Sequence, residues 1–179
     1  MPKIKTTLAC SCLLLASCAF APDLLAQTSE TAIVQQAVQL QQEAPTDTRI
    51  MDYFEQMKAN PTDPAIHVKL GDIYYERALY ELAISSYRHA LELQPNTASA
   101  HLGLSLVFRK KKLPALEIAE MEAAVADAPQ DPALLFKFGN LCMEPEHFDY
   151  KKAKKQYEAL KKLQSPLAAQ LGGKMGLVD

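Results

Sequence analysis

The sequence predicts an all-α protein built as a right-handed solenoid of helical hairpins, and three observations support this prediction. Two sets of residues recur at intervals of 34 positions: Pro61, Pro95 and Pro129, and Gly71, Ser105 and Gly139. A fixed period of this length is typical of stacked helical repeats. The prolines fall mostly between the predicted helices, and no run of alternating apolar and polar residues suggests a strand. Apolar residues make up 49% of the chain, which suffices for a continuous core between stacked helices.

The clearest copy of the repeat occupies residues 64–97. Its small, aromatic and aliphatic positions are Leu70, Gly71, Tyr74, Ala83, Tyr87, Ala90 and Pro95. This pattern resembles the tetratricopeptide repeat, in which small residues let two antiparallel helices approach closely, larger residues fill the space between them, and a proline ends the second helix. The resemblance implies a protein-binding scaffold and no enzymatic activity.

Two further copies follow, each with one departure from the pattern. Residues 98–131 keep the apolar positions but carry Glu117 where the family has a small residue. Residues 132–165 regain the register at Ala153 and Tyr157 only if about two residues are inserted in the turn near 144–149. Running the period backward places a degenerate first repeat at residues 30–63, with a helix at 30–43; a capping helix followed by a solvating helix is the alternative. Residues 166–179 are left as a C-terminal tail that could fill the binding groove.

The N-terminus predicts export. Lys3 and Lys5 precede an apolar stretch, residues 6–16, which is too short to span a bilayer comfortably and suits a secretory signal. Leu15, Ala16 and Ser17, followed by Cys18, resemble a bacterial lipobox. Residues 1–17 are therefore predicted to be a signal peptide, Cys18 to be the lipidated first mature residue, and residues 18–29 to be a tether. The predicted location is an outer-membrane or inner-membrane lipoprotein facing the periplasm. Cleavage after Ala26, which would give a soluble periplasmic protein, is the alternative.

Several function classes find no support in the sequence. The formal net charge of −2 provides no basic field for nucleic acid. There is no glycine-rich phosphate loop, nucleophile elbow or zinc-binding helix motif, so we expect no cofactor and no small-molecule substrate. His67 and His101 are interpreted as packing residues, and Cys142 as a buried small hydrophobe. The enzymatic or metal-binding alternative depends on the inserted turn, which gathers Glu144, Glu146, His147 and Asp149.

The resemblance also implies where a partner would bind. In this family the first helices of the hairpins line a concave groove, and nine residues should face it: Val68, Asp72, Tyr75, Leu102, Leu106, Arg109, Phe136, Asn140 and Met143. Most of these are apolar, which predicts a partner helix or apolar segment from another envelope protein. Family members that are lipoproteins suggest an accessory role in envelope assembly.

A third possibility is an architectural subunit of a larger membrane complex, which would use the lysine-rich helix at residues 150–162. The simplest interpretation of those lysines is a solvated face on a terminal helix. Contact with anionic lipid or an acidic partner is the alternative.

Overall fold

In the computed structural model, which describes residues 48–177, the chain forms eight α-helices and a short 3-10 turn. The helices are α1 (Thr48–Ala59), α2 (Pro64–Glu76), α3 (Tyr80–Leu93), α4 (Ala98–Lys110), α5 (Pro114–Asp127), α6 (Pro132–Leu141), α7 (Tyr150–Lys162) and α8 (Leu167–Lys174). No strand occurs in this range, so the predicted all-α solenoid is confirmed. The predicted signal peptide, Cys18, the tether and the helix at 30–43 lie outside the described residues.

The helices pair into three hairpins: α2 with α3, α4 with α5, and α6 with α7. Each helix packs against the next one along the chain, and the first helices of the first two hairpins, α2 and α4, also touch. The short connections make the paired helices antiparallel. Each hairpin thus buries its apolar face against its own partner helix and against the neighbouring hairpin, which is how a solenoid forms its core.

Local signals explain where the helices begin. Asp63 and Asp131 cap α2 and α6, because their carboxylates accept hydrogen bonds from Ala65 N at 2.9 Å and Ala133 N at 2.8 Å. A proline follows each cap at the first helical position, where its missing N–H costs nothing. Asp149 caps α7 by accepting from the backbone N–H of Lys152.

The turns inside the first two hairpins are short and alike, whereas the turn inside the third hairpin is longer. Ala78 and Lys112 hold equivalent places in the first two turns, and both adopt the left-handed conformation, with φ of 59° and 56°. The third hairpin has a longer connection between Leu141 and Tyr150, which contains the 3-10 turn Pro145–His147. The two-residue insertion inferred from the repeat period belongs to this connection.

Tyr87 joins the first two hairpins. A Cβ atom at Gly71 of α2 would lie 2.6 Å from its ring, and one at Gly103 of α4 would approach the same ring even more closely. Real Cβ atoms do not approach an aromatic ring this closely, so the ring is accommodated because both positions are glycine. Its hydroxyl donates a 2.7 Å hydrogen bond to Oδ1 of Asp72.

The C-terminal helix α8 packs against α6 and α7. Tyr157 of α7 lies against Gly172 of α8 much as Tyr87 lies against Gly103, and the side chain of Leu171 fills the space beside Gly139. Therefore α8 takes the place that the first helix of a further hairpin would occupy. It also completes the core of the third hairpin, because Leu171 and Met175 are buried there with Leu135, among others.

Candidate functional site

The candidate site is the face formed by the first helices α2, α4 and α6, which carries the nine residues predicted to contact a partner. Its apolar side chains are mostly half-buried, namely Tyr75, Leu102, Leu106, Phe136 and Met143. Leu102, Phe136 and Met143 also pack against the core of the third hairpin. These three side chains therefore support the fold as well as lining the face.

Val68 does not fit the predicted role. It is buried, and so are most other residues of α2, including Leu70, Gly71 and Ile73. The physical reason is that α2 packs against α1, α3 and α4, which leaves it only a narrow exposed face. The sequence-based prediction that Val68 faces the groove is therefore corrected, because its side chain is buried.

The polar residues of the face have partners within the chain. Asp72 accepts the hydroxyl hydrogen bond of Tyr87. Burial raises the pKa of Asp72, although the Tyr87 hydrogen bond opposes this, and burial also raises the pKa of the Tyr87 hydroxyl. Lys174 of α8 donates to Oδ1 of Asn140 at 2.7 Å, and its ammonium lies 6.0 Å from the ring centroid of Phe136. The C-terminal helix thus reaches the α6 end of the face through Lys174.

Arg109 belongs to a partly buried ionic network that the sequence did not reveal. Its Nε donates to Oε1 of Glu117 at 2.5 Å, and its Nη2 donates to Oε1 of Glu144 at 3.1 Å. Nε2 of His147 lies 3.3 Å from the other carboxylate oxygen of Glu117. The side chains of Glu117 and His147 are only 5% and 3% exposed, whereas that of Arg109 is 45% exposed. The network links α4 and α5 to the inserted turn.

This network accounts for both departures from the repeat pattern. Glu117 replaces a small residue at the crossing of α4 and α5, and its buried carboxylate requires hydrogen-bond donors. Arg109 supplies one from α4, and the inserted turn brings His147 within reach from the third hairpin. The two departures, one in each of two neighbouring repeats, are thus parts of a single interaction. In the sequence, the only sign of this interaction was that the two departures occur in neighbouring repeats.

The alternative metal site is not assembled. His147 is directed inward to Glu117, Glu144 binds Arg109, and Asp149 caps α7. Within residues 48–177, no group of three or more histidine, cysteine or acidic side chains could hold a metal ion.

The remaining candidate residues take part in packing. The ring of His67 is buried and stacks edge-to-face on His89, with centroids 4.3 Å apart. Nδ1 of His101 lies 2.6 Å from Oε2 of Glu120, on the helix paired with its own. Cys142 is fully buried, and burial raises the pKa of its thiol to about 11, so the thiol is protonated at neutral pH.

Comparisons with known proteins agree with this geometry. The tetratricopeptide-repeat family profile matches residues 58–132, which covers the first two hairpins and their flanks. Residues 58–132 therefore belong to the tetratricopeptide-repeat family. The fold of this repeat protein resembles the crystal structure of MamA, with a TM-score of 0.52 and 21% identity over 70% of this chain and 75% of that one. Tetratricopeptide repeats are scaffolds for protein–protein interaction and are generally not enzymes.

Two curated proteins match the repeat region. The type IV pilus assembly protein PilF of Pseudomonas aeruginosa is 30% identical over 83 residues, which are 46% of this chain and 33% of PilF. Subunit cut9 of the anaphase-promoting complex of Schizosaccharomyces pombe is 31% identical over 67 residues, which are 37% of this chain and 10% of cut9. The repeat protein therefore spans about a third or less of the length of these relatives. Between residues 48 and 177, none of its helices is long and apolar enough to cross a membrane.

Proposed function

We propose that this protein is an interaction scaffold of the bacterial envelope, which binds an apolar segment of another envelope protein on the face of α2, α4 and α6. The observation that carries the proposal is the contrast between the apolar and polar residues of that face. Tyr75, Leu102 and Leu106 keep part of their surface exposed, whereas Asp72 and Arg109 have partners within the chain.

This contrast favours one kind of partner. A partly exposed leucine or tyrosine stabilises a complex when a partner covers it, by about 1.5–3 kcal/mol for full burial of a large apolar side chain. Arg109 is paired with Glu117 and Glu144, which already neutralise its charge and weaken its attraction for a partner's carboxylate. An apolar segment, helical or extended, therefore fits the face better than an acidic peptide or a free C-terminus.

Site-specific photo-crosslinking in cells tests the proposal. We expect a photoreactive residue at Tyr75 or Leu106 to yield an adduct with a defined apolar segment of one partner, identified by mass spectrometry. The matched control is Leu116 on α5, which is 46% exposed but lies on a second helix. Adducts formed at Leu116 and absent from Tyr75 and Leu106 would place the binding surface elsewhere. A crosslink from Leu106 to a residue of the same chain would mean that the face is filled internally.

The proposed location rests on the N-terminal sequence and on the likeness to a pilus assembly protein. Lipid attached at Cys18 would tether the scaffold to a membrane, because the buried methylenes of more than one acyl chain give stable anchoring. An accessory role in assembling an envelope complex follows from this placement and from the similarity to PilF.

Mass spectrometry of the mature N-terminus tests the anchor. We expect a lipid-modified Cys18 as the first residue, and we expect Cys18→Ser to accumulate as precursor or to leave the membrane fraction. An unmodified mature chain beginning at Gln27 would instead support cleavage after Ala26 and a soluble periplasmic scaffold.

A further inference from the structure

The second helix of the third hairpin, α7, differs sharply in charge from the other second helices. It contains one acidic residue, Glu158, and six lysines: Lys151, Lys152, Lys154, Lys155, Lys161 and Lys162. The equivalent helix α5 contains four acidic residues and no basic one, and α3 contains two acidic residues and one arginine. The formal net charge of the whole chain is −2. Positive charge is therefore concentrated on α7, and a general need for solubility does not explain this.

The lysines occupy the outward side of α7. Ala153, Tyr157 and Leu160 are buried on the inner side, and at 100° per residue Lys151, Lys155 and Lys162 fall on the opposite side. With a rise of 1.5 Å per residue, these three lysines extend along about 16 Å of the helix. All three are exposed. Within residues 48–177 none of the three forms an ion pair, unlike Lys152, which is paired with Glu122.

Exposed apolar side chains lie at both ends of α7. Phe148, just before α7, is 64% exposed and is the most exposed large apolar residue in the described range. Tyr150 at the first position of the helix is 39% exposed, and Leu163 just after its last turn is 38% exposed. Single exposed apolar residues are common. An exposed phenylalanine beside unpaired lysines combines apolar contact with attraction to anionic headgroups, which are the two contributions that hold a protein surface on a bilayer.

The type of cation also points to lipid. All basic residues of α7 are lysines, whose ammonium is a point charge and lacks the planar fork with which arginine pairs with carboxylates. Attraction to a diffuse layer of negative charge requires no such fork. Helix α8 follows α7 and packs against it, so the lysine surface is not the exposed end of the repeat array.

We infer that the outer surface of α7, with the exposed Phe148 just before the helix, binds the surface of an anionic lipid bilayer. The lysines attract the headgroups, and Phe148 inserts at the boundary between headgroups and acyl chains. This contact is separate from the proposed partner face, because it involves the second helix of a hairpin rather than the first helices. It is also separate from any lipid attached at Cys18.

The chain offers a local probe because it has no tryptophan. In the full chain, Phe148→Trp introduces a single reporter at the proposed insertion point, which no membrane contact of the N-terminus can mimic. We expect its emission to shift to the blue, and to be quenched by brominated acyl chains, with phosphatidylcholine vesicles that contain phosphatidylglycerol. Vesicles of phosphatidylcholine alone should give little shift, and added salt should weaken the response.

Charge removal provides the matched comparison. Replacing Lys151, Lys155 and Lys162 by glutamine in the Phe148→Trp background should weaken binding about a hundredfold, since each lysine near an anionic surface contributes a factor of about five. The control replaces three other exposed lysines, Lys69, Lys110 and Lys137, and makes the same change in net charge. It should bind as the parent does, and circular dichroism should show the same helix content for both variants.

Three outcomes would overturn the inference. The emission could fail to shift with any vesicle. It could shift equally with and without phosphatidylglycerol, which would indicate apolar adsorption without a role for the lysines. It could stay unchanged with vesicles but shift on addition of poly-glutamate, which would assign the surface to an acidic protein. A failure of the photo-crosslinking at Tyr75 and Leu106 would leave this result unaffected.

Discussion

Replacing Glu117 with alanine is expected to lower the free energy of unfolding by about 2–4 kcal/mol, even though alanine matches the repeat pattern better. The carboxylate is buried and accepts from Arg109 and His147. Its removal leaves the buried imidazole of His147 without this partner, and an unsatisfied buried polar group costs about 1–3 kcal/mol. The cavity left by the side chain adds to this cost. Because the guanidinium of Arg109 is 45% exposed, water can replace its lost partner, and the effect stays below that of a fully buried ion pair.

The control lies on the same helix. Glu122 likewise has a basic partner, in this case Lys152, but both side chains are more than 40% exposed. Surface ion pairs contribute about 0–1 kcal/mol, so Glu122→Ala should change the stability little. Urea denaturation of both variants measures the difference. Equal stability losses, or a Glu117→Ala variant more stable than the parent, would show that the network does not stabilise the junction with the inserted turn.

Gly71→Ala is expected to destabilise the protein by about 1–3 kcal/mol, although alanine is the better helix former. A Cβ atom at this position would lie 2.6 Å from the ring of Tyr87. The ring has little room to retreat, because it also packs closely on Gly103 of α4. Overpacking of this kind costs about 1–3 kcal/mol.

The matched control for this substitution is Gly173→Ala in α8. No atom lies within 4 Å of a Cβ atom placed there, so only the intrinsic preference of the helix for alanine should act. That preference stabilises by up to about 1 kcal/mol. Thermal denaturation should therefore show opposite shifts for the two alanine variants. A Gly71→Ala protein as stable as the parent would mean that α2 and α4 do not cross at Tyr87 as described.

The sequence predicted the fold because the residues that repeat every 34 positions are the ones that set the spacing between helices. A small residue recurs at the position of Gly71, as Ser105 and Gly139, because it lets two helices cross closely, so period and geometry share one cause. The same logic predicted the insertion, since a longer turn displaces the register of every residue after it.

The candidate site was predicted less completely. The face of α2, α4 and α6 follows from helical periodicity, but the burial of Val68 depends on how many helices surround α2, which one repeat does not reveal. The network of Glu117, Arg109 and His147 joins residues 8 and 30 positions apart in sequence. No periodic pattern encodes such a contact, because it arises only when an inserted turn folds back onto the preceding hairpin.

The position of Tyr87 has a consequence for how the chain melts. In a linear array, the stability of the whole is the sum of what each unit contributes and what each junction adds. The Tyr87 side chain stabilises both its own hairpin and the junction with the next one. It packs on Gly71 within its own hairpin and on Gly103 in the next. Opening the first hairpin therefore also breaks its junction with the second. We therefore expect the first two hairpins to unfold together rather than one after the other.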